Sequence, residues 1–337
     1  MPSWPSPEPA TCAKLTAHVA QILDESGVGS IAWGHQPFSL FQYDRLGKMK
    51  VQELIFVIND RQIQDAINAL ENVAGFPVCT KPKCIELEEQ RMLYMDKVRQ
   101  EHGARRLNPA FGLNAPDRQH CVGVAHFHRG PDSDPDAVFN QDCEEIFGLL
   151  GPGSHVVITL MRQGEMMPWL SELKPGPPAA NDPHLTTSHD SRFPARADDG
   201  PSGPWIDYYA VQMLNRESFV ESLIWLLCRD LHRFAYTMWF PMIFSLKRRD
   251  KEGSIKLQSE EFGHVWDDLL TGKLLHGTAQ LRERLIAERR LPKDLPHIPT
   301  DDQFDPFPGV TKAAERNPVL GVAFDALLHL LTKGASP

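Results

Sequence analysis

Apolar positions along the first 80 residues recur at two different periods, and each change of period marks a new element. Between 14 and 26 they fall at Leu15, Val19, Ile22 and Leu23, the three- and four-residue spacing of a helix face. Gly27 and Gly29 stop that helix, and 29–33 starts a short strand. A second, shorter helix is predicted over 37–42, opening at a proline. Residues 51–58 are rich in β-branched and apolar side chains and predict a buried strand. Asp60 is the expected cap of a helix over 61–74, with Ile63, Ile67 and Leu70 on one face. Gly75-Phe76-Pro77-Val78 then leads into another strand.

Further along, 86–101 reads as a charged helix, 105–119 as irregular, 120–127 as a strand and 138–150 as a helix. A strand is predicted over 154–161. Pro, Gly, Asp and Ser crowd 164–205, a length that in a compact protein marks a functional or disordered loop. From 218 onward the pattern is helical: 219–234, a continuation over 235–247 bent near Pro241, then 259–270, 278–288 and 318–333. No internal repeat is present. The outline is α+β. It has a disordered or loosely packed Pro-rich N-terminus (1–13), a mixed-sheet α/β domain (14–163), a long irregular region (164–217) and a helical C-terminal domain (218–337). A cleft between the last domain and the sheet domain is the expected place for an active site.

Composition narrows the class. The chain has 337 residues, 42% hydrophobic and 23% charged, ordinary for a globular protein. Its most apolar run, 223–228, is too short to span a bilayer, so no membrane association is expected. The N-terminus lacks a basic start followed by an apolar core, and the six cysteines contain no CxxC pair. Both point to a cytoplasmic protein with reduced thiols. A net charge of −9 argues against a general polyanion-binding surface and a DNA partner, but permits local basic patches. Basic residues cluster at Arg105-Arg106, at Lys247-Arg248-Arg249, and at Arg282, Arg284, Arg289 and Arg290. Each cluster alone reads as a solvated helix face; a tRNA partner requires two of them on one face.

The stretch 31–60 carries the most chemical information. It reads strand, Gly-His turn, short helix, loop, strand, and this layout resembles the nucleotide-binding half of a nucleotidyltransferase fold. Active enzymes of that fold carry Asp-x-Asp on the second strand, two carboxylates on one face that hold Mg²⁺ against phosphate. Here those positions are Glu53 and Ile55, so the paired acidic clamp is broken. A lone carboxylate among apolar neighbours suits general acid or base work, although a solvated strand edge is the alternative. Gly34 can direct backbone N–H groups at phosphate and His35 can reach a ligand, or the pair is a plain turn. His126 and His128 flank Phe127 and share a strand face, where they can transfer protons or, with a third ligand, hold a transition metal. The alternative is two ordinary histidines. Glu221, Arg229 and Asp230 interrupt an apolar helix. Eight residues turn Glu221 and Arg229 through about 800°, back to nearly one face, with Trp225 between them. They form either a structural ion-pair network or a guanidinium- or amine-recognising set. His189, Asp190 and Arg192 lie in the long loop, which would serve as a lid or as a plain insert. GxSxG, HExxH, P-loop and GxGxxG motifs are all missing.

Five segments, "WGHQPFSLF", "VQELIFVINDRQIQDAINAL", "AHFH", "SHDSRFP" and "ESLIWLLCRD", resemble a family of fungal proteins with a nucleotidyltransferase-like fold, over roughly 14–250. Within it, the chain is similar to the fungal arginine-containing cyclodipeptide synthases. That resemblance implies use of arginyl-tRNA and a second aminoacyl-tRNA to make a diketopiperazine, without a cofactor or a metal. Glu53, His126 and His128 would be catalytic; Gly34, His35, Glu221, Arg229 and Asp230 would bind substrate. Two other functions compete: a nucleotidyltransferase with a rearranged site, for which Mg²⁺ is possible, and a non-catalytic relative that binds a nucleotide or protein.

Overall fold

The computed structural model describes residues 13–41, 53–80, 123–129, 156–196, 202–230, 239, 242–244, 246–247, 250, 253–269 and 274–292. They fall into two compact units, one ending at Arg216 and the other beginning at Glu217.

The first unit is built on a mixed six-stranded sheet. Its strands are β1 (Ser30–Trp33), β2 (Glu53–Ile58), β3 (Ala125–Arg129), β4 (Val156–Arg162), β5 (Leu185–Thr187) and β6 (Gln212–Leu214). They lie in the order β3-β4-β2-β1-β6-β5. β2 and β4 run parallel at the centre, as do β1 and β6, and the other pairs are antiparallel. Every residue from Leu54 to Ile58 is buried, as are Ile31 to Trp33, so these strands are covered on both faces. That explains why they read as continuous apolar runs rather than as alternation. The helices of this unit are α1 (Ala13–Glu25), α2 (His35–Phe41), α3 (Ile63–Asn72) and the short α4 (Gln163–Met166). α1 packs on α3 and β1 through a face that includes Leu15, Val19, Ile22 and Leu23. The α+β class is therefore as expected.

Two features differ from the sequence reading for physical reasons. The cap before α3 is Asn59, not Asp60: Asn59 Oδ1 accepts from the Arg61 N–H at 3.0 Å, at the start of a 3₁₀ turn (Asp60–Gln62). Asp60 instead accepts from the Gly164 N–H at 3.0 Å, tying α3 to the exit of β4. The region 164–217, read as irregular throughout, supplies β5 and β6. Each is three residues long, too short to show a period.

The second unit contains α5 (from Arg216–Asp230, straddling the division), α6 (Glu260–Asp268) and α7 (Leu274–Ala287), with α6 packed on α7. From Ser218 to Cys228 every residue of α5 is buried, as befits a helix that is apolar nearly all round. α7 begins four residues earlier than its periodicity suggests. The expected elements at 86–101, 105–119, 138–150 and 318–333 lie outside the described residues, as does the N-terminal segment 1–12.

Candidate functional site at one end of the sheet

β1 ends at Trp33, and Gly34 turns the chain into α2 with φ = 77°, a left-handed conformation that side chains disfavour. α2 is then held in place. The Ser39 hydroxyl donates to the Gln36 carbonyl at 2.8 Å, and the Ser202 N–H donates to the Ser39 carbonyl at 3.0 Å. Trp205 Nε1 donates to the Ser202 hydroxyl at 3.3 Å, and Phe41 meets Phe193 edge-on at 5.7 Å.

The neighbouring strand ends bring the sequence-predicted residues into register. Glu53, the first residue of β2, pairs with Val157 of β4, and Val157 pairs with His128 of β3. One row further in, Trp33, Ile55, Thr159 and His126 stand side by side across four strands. Register partners, and residues two apart on a strand, share a sheet face. Glu53, His126 and His128 therefore occupy one face, with Glu53 and His128 two strands, or about 10 Å, apart across the sheet. Gly34 and His35 lie at this same end. Ile55, two residues along β2 from Glu53 and on the same face, is 5% exposed. Its hydrocarbon side chain offers no ligand to a cation, so Glu53 and Ile55 do not form a paired magnesium clamp. Of the polar side chains on this face, His126 and Thr159 are buried (8% and 4% exposed).

At the opposite end of the sheet, polar groups bond to one another. Gln62 accepts from the Gly29 N–H (2.8 Å) and donates to the Gly27 carbonyl (2.7 Å). Asn59 donates to Glu172 (2.9 Å) and to the Leu173 carbonyl (3.3 Å). Buried Gln163 donates to the Leu170 and Ser171 carbonyls at 3.0 and 2.8 Å and accepts from the Leu173 N–H at 3.1 Å. The loop through Leu173 is thereby tied to the residues that follow β2 and β4.

His189, Asp190 and Arg192 form a local turn after β5. Asp190 accepts from Thr186 (2.6 Å) and from the Arg192 guanidinium (2.6–3.0 Å) and backbone N–H (2.9 Å). The Arg192 hydrogen bond, helped by Thr186 and opposed by partial burial, holds its carboxyl down at about 2. His189 Nε2 lies 2.8 Å from the Tyr208 carbonyl oxygen.

In the second unit, Glu221, Arg229 and Asp230 have partners in the protein. Glu221 accepts from the Ser259 N–H at 2.7 Å and so caps α6. Arg229 forks onto Asp230 (2.7 and 2.6 Å) and lies over the Trp225 ring at 5.6 Å; Asp230 also accepts from Trp239 Nε1 at 2.9 Å. Glu221 thus bonds α6 rather than pairing across the helix face with Arg229. The basic clusters are engaged as well. Lys247 pairs with Asp267 and lies over Trp266, and Arg284 and Arg290 both bind Glu261. Arg282 is fully buried, and desolvation lowers its basicity. Arg105, Arg106, Arg248 and Arg249 lie outside the described residues.

Sequence reasoning overlooked two buried polar residues at the sheet end, Gln36 and Thr159. Each is short of any motif; the available signal was a polar residue set among apolar ones. Together, sheet and helices define an α+β protein, and among the described residues no helix is long and apolar enough to cross a membrane. No protein-family model, curated protein or solved structure matches the chain.

Proposed function

We propose that the first unit is a nucleotidyltransferase-like fold adapted to aminoacyl transfer. In this reading the chain is a tRNA-dependent, arginine-containing cyclodipeptide synthase of fungal secondary metabolism, working in the cytoplasm. One observation carries it: Glu53, His126 and His128 share a sheet face at the end where the Gly34 turn opens α2. A carboxylate and two imidazoles are proton-transfer groups, and transfer from an activated ester is chiefly a matter of moving protons. In the first step the α-amine of one aminoacyl group attacks the ester carbonyl carbon of the other. A C–N bond forms, the C–O bond to the terminal ribose breaks, and the amine proton passes through the base to the departing ribose oxygen. In the second step the free amine of the resulting dipeptidyl ester attacks its own ester carbonyl, closing the ring and releasing the second tRNA. The substitution of Ile55 for an acidic residue removes what phosphoryl transfer needs and leaves this chemistry intact.

A second reading, nucleotidyl transfer with a rearranged metal site, draws on the same face: two imidazoles and a carboxylate are a donor set for a transition metal rather than for magnesium. Expression of the full chain in a bacterium, followed by mass spectrometry of the medium, separates the two. An arginine diketopiperazine that disappears with Glu53→Gln is the expected result. Soluble protein with no such product overturns the proposal, and metal-dependent label transfer from ATP would favour the second reading.

A further inference from the structure

We propose that Gln36 orients the substrate at this end of the sheet, its side-chain amide donating to an acceptor oxygen on the 3′ end of the aminoacyl-tRNA. The inference rests on the aminoacyl-transfer reading and adds to it a residue that no motif indicates. Gln36 is 3% exposed, and its Nε2 has no hydrogen-bond partner among the described residues. A buried donor without an acceptor is destabilising, and in a native structure it calls for a reason. Three other amides of the same unit set the contrast. Asn59, Gln62 and Gln163 each use both ends of the amide in hydrogen bonds to the protein. Nor is Gln36 loosely held. Its own carbonyl accepts from Ser39, and Ser39 is fixed by Ser202, which Trp205 in turn engages. The backbone is therefore locked while the amide remains unused, the arrangement expected of a preorganised recognition group.

Its position agrees. Gln36 lies three residues beyond Trp33, the β1 member of the row that continues through Ile55 and Thr159 to His126. It sits in the first turn after Gly34, on the side of the sheet end where Glu53 opens β2. An amide N–H bonds only to an acceptor. On an aminoacyl-tRNA terminus the acceptor oxygens are the ester carbonyl and the ribose and phosphate oxygens of the last nucleotide.

The test is Gln36→Met in the full chain, a change of similar volume that removes the donor. Its melting temperature should equal or exceed that of the wild type, because an unsatisfied donor has gone. KM for arginyl-tRNA should rise about tenfold. The affinity for deacylated tRNA then separates the sources of the oxygen. Weakened binding assigns it to the nucleotide, and unchanged binding assigns it to the ester carbonyl. A variant with wild-type KM and wild-type deacylated-tRNA affinity overturns the proposal while leaving the function standing. If the wild type makes no diketopiperazine, the aminoacyl reading fails separately. Gln36 is then tested by the thermal shift that ATP gives the wild type: its loss in Gln36→Met retains the residue as a ligand group. A shift of equal size in both proteins, or none in either, removes it.

Discussion

Replacing Gln163 by Met should detach the loop that closes the far end of the sheet, and its effect can be worked from the hydrogen bonds. The side chain is buried and makes three bonds: two donated to the Leu170 and Ser171 carbonyls, one accepted from the Leu173 N–H. Met fills a similar volume, so the packing loss is small and the polar loss dominates. Three net hydrogen bonds at about 1 kcal/mol each suggest about 3 kcal/mol. Stranding buried carbonyls pushes the loss higher, while any water that reaches them pulls it back. For a unit of this size about 3 kcal/mol corresponds to a fall in Tm of roughly 6–12 °C. Thermal and urea unfolding of the purified chain, with m compared to check that the denatured state is unchanged, gives the measurement. A loss below about 0.5 kcal/mol would refute the reasoning, because it would mean that the loop holds without its central amide.

Gly29→Ala probes the same docking from the other side: a Cβ there would lie 2.2 Å from the Leu173 carbonyl oxygen, so a loss of about 2–3 kcal/mol is expected. Gly27→Ala, with φ = 76° but open space around it, should cost only about 1 kcal/mol; equal losses by denaturation would contradict the steric account. Asp190, with its carboxyl lowered to about 2 against an ordinary 3.8, contributes stability that is present above about pH 4 and lost as the pH falls toward 2. Arg192 is mostly exposed, which screens the pair to about 1 kcal/mol, so the stability gap between wild type and Asp190→Asn should be near that value at pH 6 and shrink at pH 2. Glu221→Gln keeps an acceptor for the Ser259 N–H and should change stability by less than about 0.5 kcal/mol, whereas Glu221→Ala should cost about 1–2 kcal/mol. Lost diketopiperazine synthesis by Glu221→Gln at unchanged Tm would instead return Glu221 to substrate recognition.

What the sequence made legible follows from how far apart the partners are. β1, β2 and α3 were readable because their apolar runs, and the period change between them, are local signals. The three-residue strands β5 and β6 were not. β6 is a strand because it pairs with β1, from which it is separated by most of the unit, and three residues show no period. The charges of α5 stood out as exceptions in an apolar helix, but their partners did not. Ser259, which Glu221 caps, is 38 residues away. The face shared by Glu53 and the two histidines belongs to the same class. Alternation put His126 and His128 together, but only the β4 register brings Glu53 level with His128.

The side-chain amides at the two ends of this sheet are used in opposite ways, and that difference bears on where a ligand would bind even without a motif. At the far end Asn59, Gln62 and Gln163 spend their donors and acceptors on backbone groups and on Glu172, and the outcome is a sewn loop. At the near end α2 is anchored just as firmly through Ser39, Ser202 and Trp205, yet the Gln36 amide nitrogen inside that anchor bonds to nothing in the described protein. Stability alone favours satisfying or deleting such a group. A donor kept buried beside a glycine turn, and at the same sheet end as one carboxylate and two imidazoles, is what the proposed recognition role of Gln36 accounts for and the fold alone does not.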